Sequence, residues 1–156
     1  MLQEFYYWAE TTWLGQIMQQ NSLIFPMVEV VHIICFTILL GAVYTVNFRV
    51  LGFALKSRSM PEVTQSMAPV ALWGYITTFL TGFLLFIAES VKLSVNAAWH
   101  PKLGLLAGAL VVQFLLSQVL LKRGIEKNMA LSKMAAVAST LLWLGTGFTA
   151  RWIAFI

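Results

Sequence analysis

The sequence predicts an all-α integral membrane protein, a four-helix up-down bundle preceded by an N-terminal interfacial amphipathic helix. Of its 156 residues, 60% are hydrophobic, a share too large for a soluble domain of this size. Four long apolar runs account for most of that share, and each is long enough for a helix to cross a bilayer. Both observations favour a single transmembrane domain over residues 1–156.

The first element expected is an interfacial helix over residues 3–20. Its aromatic residues alternate with Gln, Glu and Thr, and they are Phe5, Tyr6, Tyr7, Trp8 and Trp13. Tyr and Trp prefer the membrane–water interface, so the segment is predicted to lie along the bilayer surface. It lacks the basic start and apolar centre of a signal peptide. A frayed tail is the alternative for this segment.

Transmembrane helices are predicted at about 23–47, 66–91, 102–122 and 132–155, with Pro26 and Pro101 near two helix starts. Seven of the ten basic residues fall in the two segments that follow the first and third helices: Arg49, Lys56, Arg58, Lys122, Arg123, Lys127 and Lys133.

This charge bias is typical of loops on the inner side of a membrane. It predicts a multi-pass membrane protein with both basic loops in the cytoplasm and both termini on the outer side of the membrane. The net charge of +4 lies mainly in these loops, so it does not indicate a nucleic-acid partner. The expected partners are the lipid bilayer and other membrane subunits.

Two ionisable residues, Glu29 and His32, lie within the first predicted span. Such groups are costly in hydrocarbon and are retained where they face a protein interior or take part in function. Three residues apart, they share one face of the helix, and Phe36 follows on that face. The rest of the chain is therefore interpreted as a cage around this pair.

Polar residues at helical spacing extend this hypothesis to the other spans. Lys102 and Gln113 share a face of the third helix, and Arg151 lies on the polar stripe of the fourth. His32 lies roughly 13 Å and Gln113 roughly 16 Å from the predicted starts of their helices, hence at nearly equal depth. All five polar residues are expected to face the interior.

The predicted interior is a polar pocket open to the outer side, with His32 towards its floor. Small residues at Gly82, Ala109 and Gly147 are expected to leave room for a planar ligand.

Structural alternatives remain for each of these residues. Glu29 could form a buried ion pair with Lys102 or Arg151, and His32 could be a core histidine hydrogen-bonded to Glu29. Gln113 could join helices by hydrogen bonds, its usual role in membranes.

The single cysteine, Cys35, excludes an internal disulfide. It could form a soft-metal site with Met27, or it could be a small core residue.

The run PMVEVVHIICFTILLGAVYTVNFRVLG, residues 26–52, resembles the first helix of an uncharacterised group of bacterial four-helix membrane proteins. In that group the helix reads roughly F-P-x-I-E-x-x-H. The group looks related to CopD-like copper-resistance proteins and to HemJ-type protoporphyrinogen oxidases. Lys102 and Leu103 match the Lys-Leu pair that begins the third helix of those proteins.

The resemblance implies that His32 ligates haem b and that Lys102 partners anionic groups. This chain departs from the pattern at Gln113, where HemJ-like proteins have a second histidine, and at Asn47, where the uncharacterised group tends to have an aspartate.

The leading hypothesis is a haem-b-binding protein for electron transfer, or the redox subunit of a membrane complex. His32 would be the metal ligand, and Glu29, Lys102, Gln113 and Arg151 would complete the cofactor site. One alternative is a non-catalytic accessory subunit of a respiratory or photosynthetic complex, with no cofactor. Another is copper handling through His32, Cys35 and methionines. No catalytic residue is assigned, and enzymatic activity is left open.

Overall fold

The computed structural model describes residues 2–122, 129–153 and 155, and within these ranges the chain forms seven helices. They are α1 (Leu2–Glu10), α2 (Trp13–Gln20), α3 (Ile24–Leu51), α4 (Met60–Ala88), α5 (Ser90–Ser94), α6 (Trp99–Lys122) and α7 (Met129–Trp152). Helices α3, α4, α6 and α7 are long and apolar enough to span a membrane. The predicted fold class is thereby confirmed.

The N-terminal segment forms two helices where one was predicted. Thr12 has an extended backbone, and its side chain accepts a hydrogen bond from the Gly15 N–H, so it caps α2 and ends the first helix. At Gly15 the chain passes very close to itself, because a Cβ there would lie 2.5 Å from the Glu10 carbonyl oxygen. A larger residue at this position would push α1 and α2 apart.

Both short helices are tied to the end of α4 and to α5. The Gln19 side chain donates to the Ala88 carbonyl at 2.8 Å, which satisfies an orphan group at the end of α4. The Glu10 carboxylate accepts from the Val91 N–H at 2.8 Å, and the Ser90 hydroxyl donates to the Tyr6 carbonyl at 2.6 Å. The segment is therefore anchored to the bundle by specific hydrogen bonds.

Local capping explains where the spanning helices differ from their predicted bounds. Helix α3 continues past Asn47 to Gly52, whose φ of 83° suits a left-handed C-cap. Helix α4 begins six residues before the predicted position 66, because Ser59 accepts from the Glu62 N–H and Pro61 occupies the first turn. Helices α6 and α7 each begin three residues before their predicted starts at 102 and 132.

The four spanning helices run alternately up and down. We call the end where α3 and α6 begin the proximal end, and the opposite end the distal end. Helix α3 packs mainly on α4 and α7, and α6 packs mainly on α7, so α3 and α6 occupy diagonal positions. The short helices α1, α2 and α5 lie at the proximal end.

The middle of the bundle is closed by an aromatic layer made of Phe36, Tyr75 and Trp143. Trp143 is 1% exposed, and its ring centroid lies 6.1 Å from that of Phe36 and 6.0 Å from that of Tyr75. Leu39, Val43 and Ala109 pack in the same cluster. This layer divides the interior into a proximal half and a distal half.

Candidate functional site

His32 lies in the proximal half of the bundle and faces α4. Its ring is half-buried, and Nδ1 lies 2.8 Å from the Thr81 hydroxyl. Gly82 makes room for it, because a Cβ at that position would lie 3.0 Å from Cε1 of the imidazole. The small residue on α4 therefore lets the histidine reach between the two helices.

The hydrogen bonds around Thr81 indicate which ring nitrogen carries the proton. The Thr81 hydroxyl has a single hydrogen to donate. Its oxygen lies 2.7 Å from the Thr77 carbonyl oxygen, which can only accept. If that hydrogen is donated to the carbonyl, the hydroxyl accepts from Nδ1–H of His32. The lone pair is then on Nε2, the arrangement of a metal-ligating histidine whose orientation is set by its other nitrogen.

Lys102 is a cation in the proximal half of the bundle. Its side chain is half-buried, and Nζ lies 5.5 Å from the Trp99 ring centroid, within cation–π range. Lys102 lies in the first turn of α6, at the same end of the bundle as His32. Across the described residues, no carboxylate lies within ion-pair distance of Lys102. A basic centre without an anionic partner is thereby formed beside the imidazole.

Trp99 holds this lysine in place from the proximal side. Its ring stacks on Phe86 with centroids 5.5 Å apart, and its Nε1–H donates to the Tyr6 hydroxyl at 3.2 Å. Helix α1 is thus connected to Trp99, and through Trp99 to Lys102, by the Tyr6 hydroxyl.

Glu29 does not face the interior, contrary to the prediction. Its side chain is exposed, and the described residues include no hydrogen-bond or ion-pair partner for it. It therefore forms neither the predicted bond with His32 nor the predicted ion pair. The physical reason is that it lies about 60° around α3 from His32, at the edge facing α7.

Arg151 also lies outside the interior, so its predicted orientation is wrong as well. It is exposed near the end of α7, and its guanidinium lies 4.8 Å from the Phe155 ring centroid. Arg151 lies in the last turn of α7, at the end of the bundle rather than within it.

Gln113 is buried as predicted, but it is far from His32. It accepts from the Ser139 hydroxyl at 2.6 Å, and Asn47 donates to that hydroxyl at 3.1 Å and to Thr140 at 3.2 Å. Asn47 follows His32 by fifteen residues, about 22 Å along the helix axis. The expected equal depth is wrong because α3 and α6 are axially staggered, and the aromatic layer separates the two residues.

The expected gaps for a planar ligand are filled by large side chains. Gly82 is covered by His32, and a Cβ at Gly147 would lie 3.6 Å from Cε1 of Phe36. Ala109 is fully buried in the cluster that contains Trp143. The aromatic layer therefore occupies the space that the small residues were expected to leave.

Met27, one of the predicted copper ligands, lies apart from His32. Met27 is 68% exposed and lies about 140° around α3 from His32. The described residues contain no group of three or more His, Cys, Asp or Glu side chains suited to a metal ion.

Several residues of the interior were not identified from sequence. No sequence pattern distinguishes Thr81 from the other threonines of α4, or Trp143 from the other apolar residues of α7. Asn47 and Ser139 carried a usable signal, because buried polar residues in a span commonly bond across helices.

The profile of a family described as "Family of unknown function (DUF6644)" matches residues 5–156. No curated protein and no solved structure matches the chain.

Proposed function

We propose that this chain, which belongs to the DUF6644 family of unknown function, binds haem b through His32 and serves electron transfer, alone or as a redox subunit of a membrane complex. The observation that carries the proposal is the hydrogen bond between Nδ1 of His32 and Thr81. With the proton on Nδ1, Nε2 is the ring nitrogen that would ligate a metal.

The donor set fits one axial ligand, because imidazole is neutral when metal-bound and suits a low-dielectric site. His32 would hold the group, and Phe36 and Trp143 would close the site towards the middle of the bundle. Lys102 would neutralise a carboxylate of the group. When bound, haem supplies one-electron chemistry at its iron.

Thr81 fixes the orientation of the imidazole, and the aromatic layer keeps water from the distal half away from the ligand. Glu29, Gln113 and Arg151, which the sequence hypothesis included in the cofactor site, have no part in this arrangement. The site therefore reduces to His32 and Lys102.

We also propose an orientation and a membrane. The loop after α3 carries Lys56 and Arg58 at the distal end, so this end faces the inside and the proximal end faces the periplasm. The resemblance to bacterial proteins favours the cytoplasmic membrane. A cofactor beside His32 would then be reached from the periplasmic side.

An absorption spectrum of protein purified from haem-replete cells tests the proposal. We expect a Soret band that disappears in His32→Ala. The matched control is His100→Ala, since His100 is exposed at the start of α6 and should leave the band unchanged. A wild-type protein without Soret absorption, or an unchanged band in His32→Ala, would overturn the proposal.

The second candidate is a non-catalytic accessory subunit of a respiratory or photosynthetic complex. The observation in its favour is the filled interior, in which Ala109 and Gly147 already contact large side chains. Under this alternative, His32 and Thr81 join α3 to α4 and nothing more. The purified complex would contain the chain at fixed stoichiometry, with no haem or metal assigned to it.

A further inference from the structure

The proximal end of the edge between α3 and α7 carries two unpaired charges. Glu29 lies within about 20° of Phe36 around α3, and Phe36 contacts Gly147 of α7. Arg151 lies one turn beyond Gly147, about 40° around α7. Both side chains are exposed, and among the described residues neither has an ion-pair partner.

The depths of Glu29 and Arg151 along the bundle axis can be compared by counting residues from the contact between Phe36 and Gly147. Glu29 is seven residues above Phe36 on α3, about 10 Å, and Arg151 is four residues above Gly147 on α7, about 6 Å. The difference of about 4 Å is within the reach of an arginine side chain.

An unpaired carboxylate on a spanning helix is costly when it faces lipid. The surface around it is apolar, because Ile33 is 56%, Leu144 53% and Phe148 67% exposed. A partner for this edge must therefore be apolar along its length and must present a cation at the level of Glu29.

A second copy of the same chain meets both requirements. A two-fold axis along the membrane normal keeps both copies in one orientation and places α3 of one opposite α7 of the other. Glu29 of each copy then faces Arg151 of its partner at matching depth. We propose that the protein forms a homodimer through this α3–α7 edge, joined by two reciprocal Glu29–Arg151 ion pairs.

Sedimentation in density-matched detergent measures the mass of the assembly directly. We expect twice the chain mass of 17.5 kDa for the wild type. Glu29→Arg and Arg151→Glu should each raise the dimer dissociation constant at least tenfold, because each brings like charges together at both contacts. Lys133→Glu is the matched control, since it makes the same charge change at an exposed position at the other end of α7.

Mixing the two single variants distinguishes pairing between copies from pairing within one chain. In a mixed dimer each contact again joins opposite charges, so an equimolar mixture should recover the dimer mass. Monodisperse elution and helical circular dichroism of each variant show that it is folded.

A monomeric wild type, variants that remain dimeric, or a mixture that stays monomeric would each overturn the proposal. The readout is mass, so the result does not depend on haem binding.

Discussion

At the residue scale, the contact between His32 and Thr81 decides whether the imidazole can act as a ligand. When the Thr81 hydroxyl donates to the Thr77 carbonyl, it accepts from Nδ1–H of His32. A side chain of the same shape without the hydroxyl would remove this hydrogen bond, which helps to orient the imidazole.

We therefore expect Thr81→Val to weaken haem binding by about 10- to 100-fold, the usual effect of losing the partner that orients a ligating histidine. Thr81→Ser keeps the hydroxyl and should retain most of the affinity. Haem titration followed at the Soret band measures both variants. Equal affinities for Thr81→Val and the wild type would show that this hydrogen bond does not orient the ligand.

In the distal half, Asn47 is the polar residue of α3 that forms hydrogen bonds to another helix. Its side chain is fully buried and donates to Ser139 and Thr140, so it links α3 to α7. Its side-chain carbonyl oxygen has no hydrogen-bond partner among the described residues, so part of its burial is uncompensated. The net contribution of the residue to stability is therefore smaller than two hydrogen bonds suggest.

For Asn47→Ala we expect a loss of about 1–2 kcal/mol in the free energy of unfolding, since interhelical hydrogen bonds in membranes are modest. A double-mutant cycle with Ser139→Ala should give a coupling of about 0.6–1.5 kcal/mol. Steric-trap unfolding in bicelles measures these values. Thr37→Val is the control, because Thr37 is exposed and bonds only to its own helix. Additive effects of Asn47→Ala and Ser139→Ala would contradict a direct bond.

At the element scale, Gly74 sets how closely α3 and α4 approach. A Cβ at Gly74 would lie 2.9 Å from Cβ of Leu39, a distance that real side chains do not adopt. Small residues at such positions allow helices to pack in membranes through close backbone contact. The same approach brings His32 against Gly82 two turns further along α4.

Gly74→Ala should therefore separate α3 from α4 and lower the free energy of unfolding by about 1–3 kcal/mol, as overpacking does. Gly41→Ala, on the neighbouring helix α3, is a well-matched control, because no other helix in the described part of the chain lies within 4 Å of a Cβ at Gly41. It should be neutral or slightly stabilising. Unfolding of both variants under the same conditions gives the comparison, and equal stabilities would show that the contact at Gly74 can relax.

At the scale of the whole molecule, the polar groups fall into two halves separated by the aromatic layer. His32 and Lys102 lie on the proximal side, and the bonds among Asn47, Gln113 and Ser139 lie on the distal side. The proposed orientation assigns the first group to the periplasmic half and the second to the cytoplasmic half.

Reporter fusions test that orientation. A C-terminal alkaline phosphatase fusion should be active, because this reporter folds only in the periplasm, and a C-terminal fluorescent protein that folds only in the cytoplasm should be dark. The opposite pair of results would show that the orientation is reversed and that His32 lies on the cytoplasmic side.

The sequence by itself determined the fold class, because long apolar runs can satisfy their backbone in lipid only as helices. It also singled out His32 and Lys102, since a charged or ionisable group in a span is rare enough to stand out. It placed helix ends less well where a cap such as Ser59 or Gly52 was not recognised.

Only the tertiary structure decided which polar residues meet. Helical periodicity relates residues along one helix, but it does not set the axial stagger or rotation of one helix against another. Those depend on packing, here on the Gly74–Leu39 approach and on Trp143 filling the centre. Because α3 and α6 are axially staggered, Gln113 lies far from His32. Because of the rotation of α3 and α7, Glu29 and Arg151 lie at the edge between these two helices.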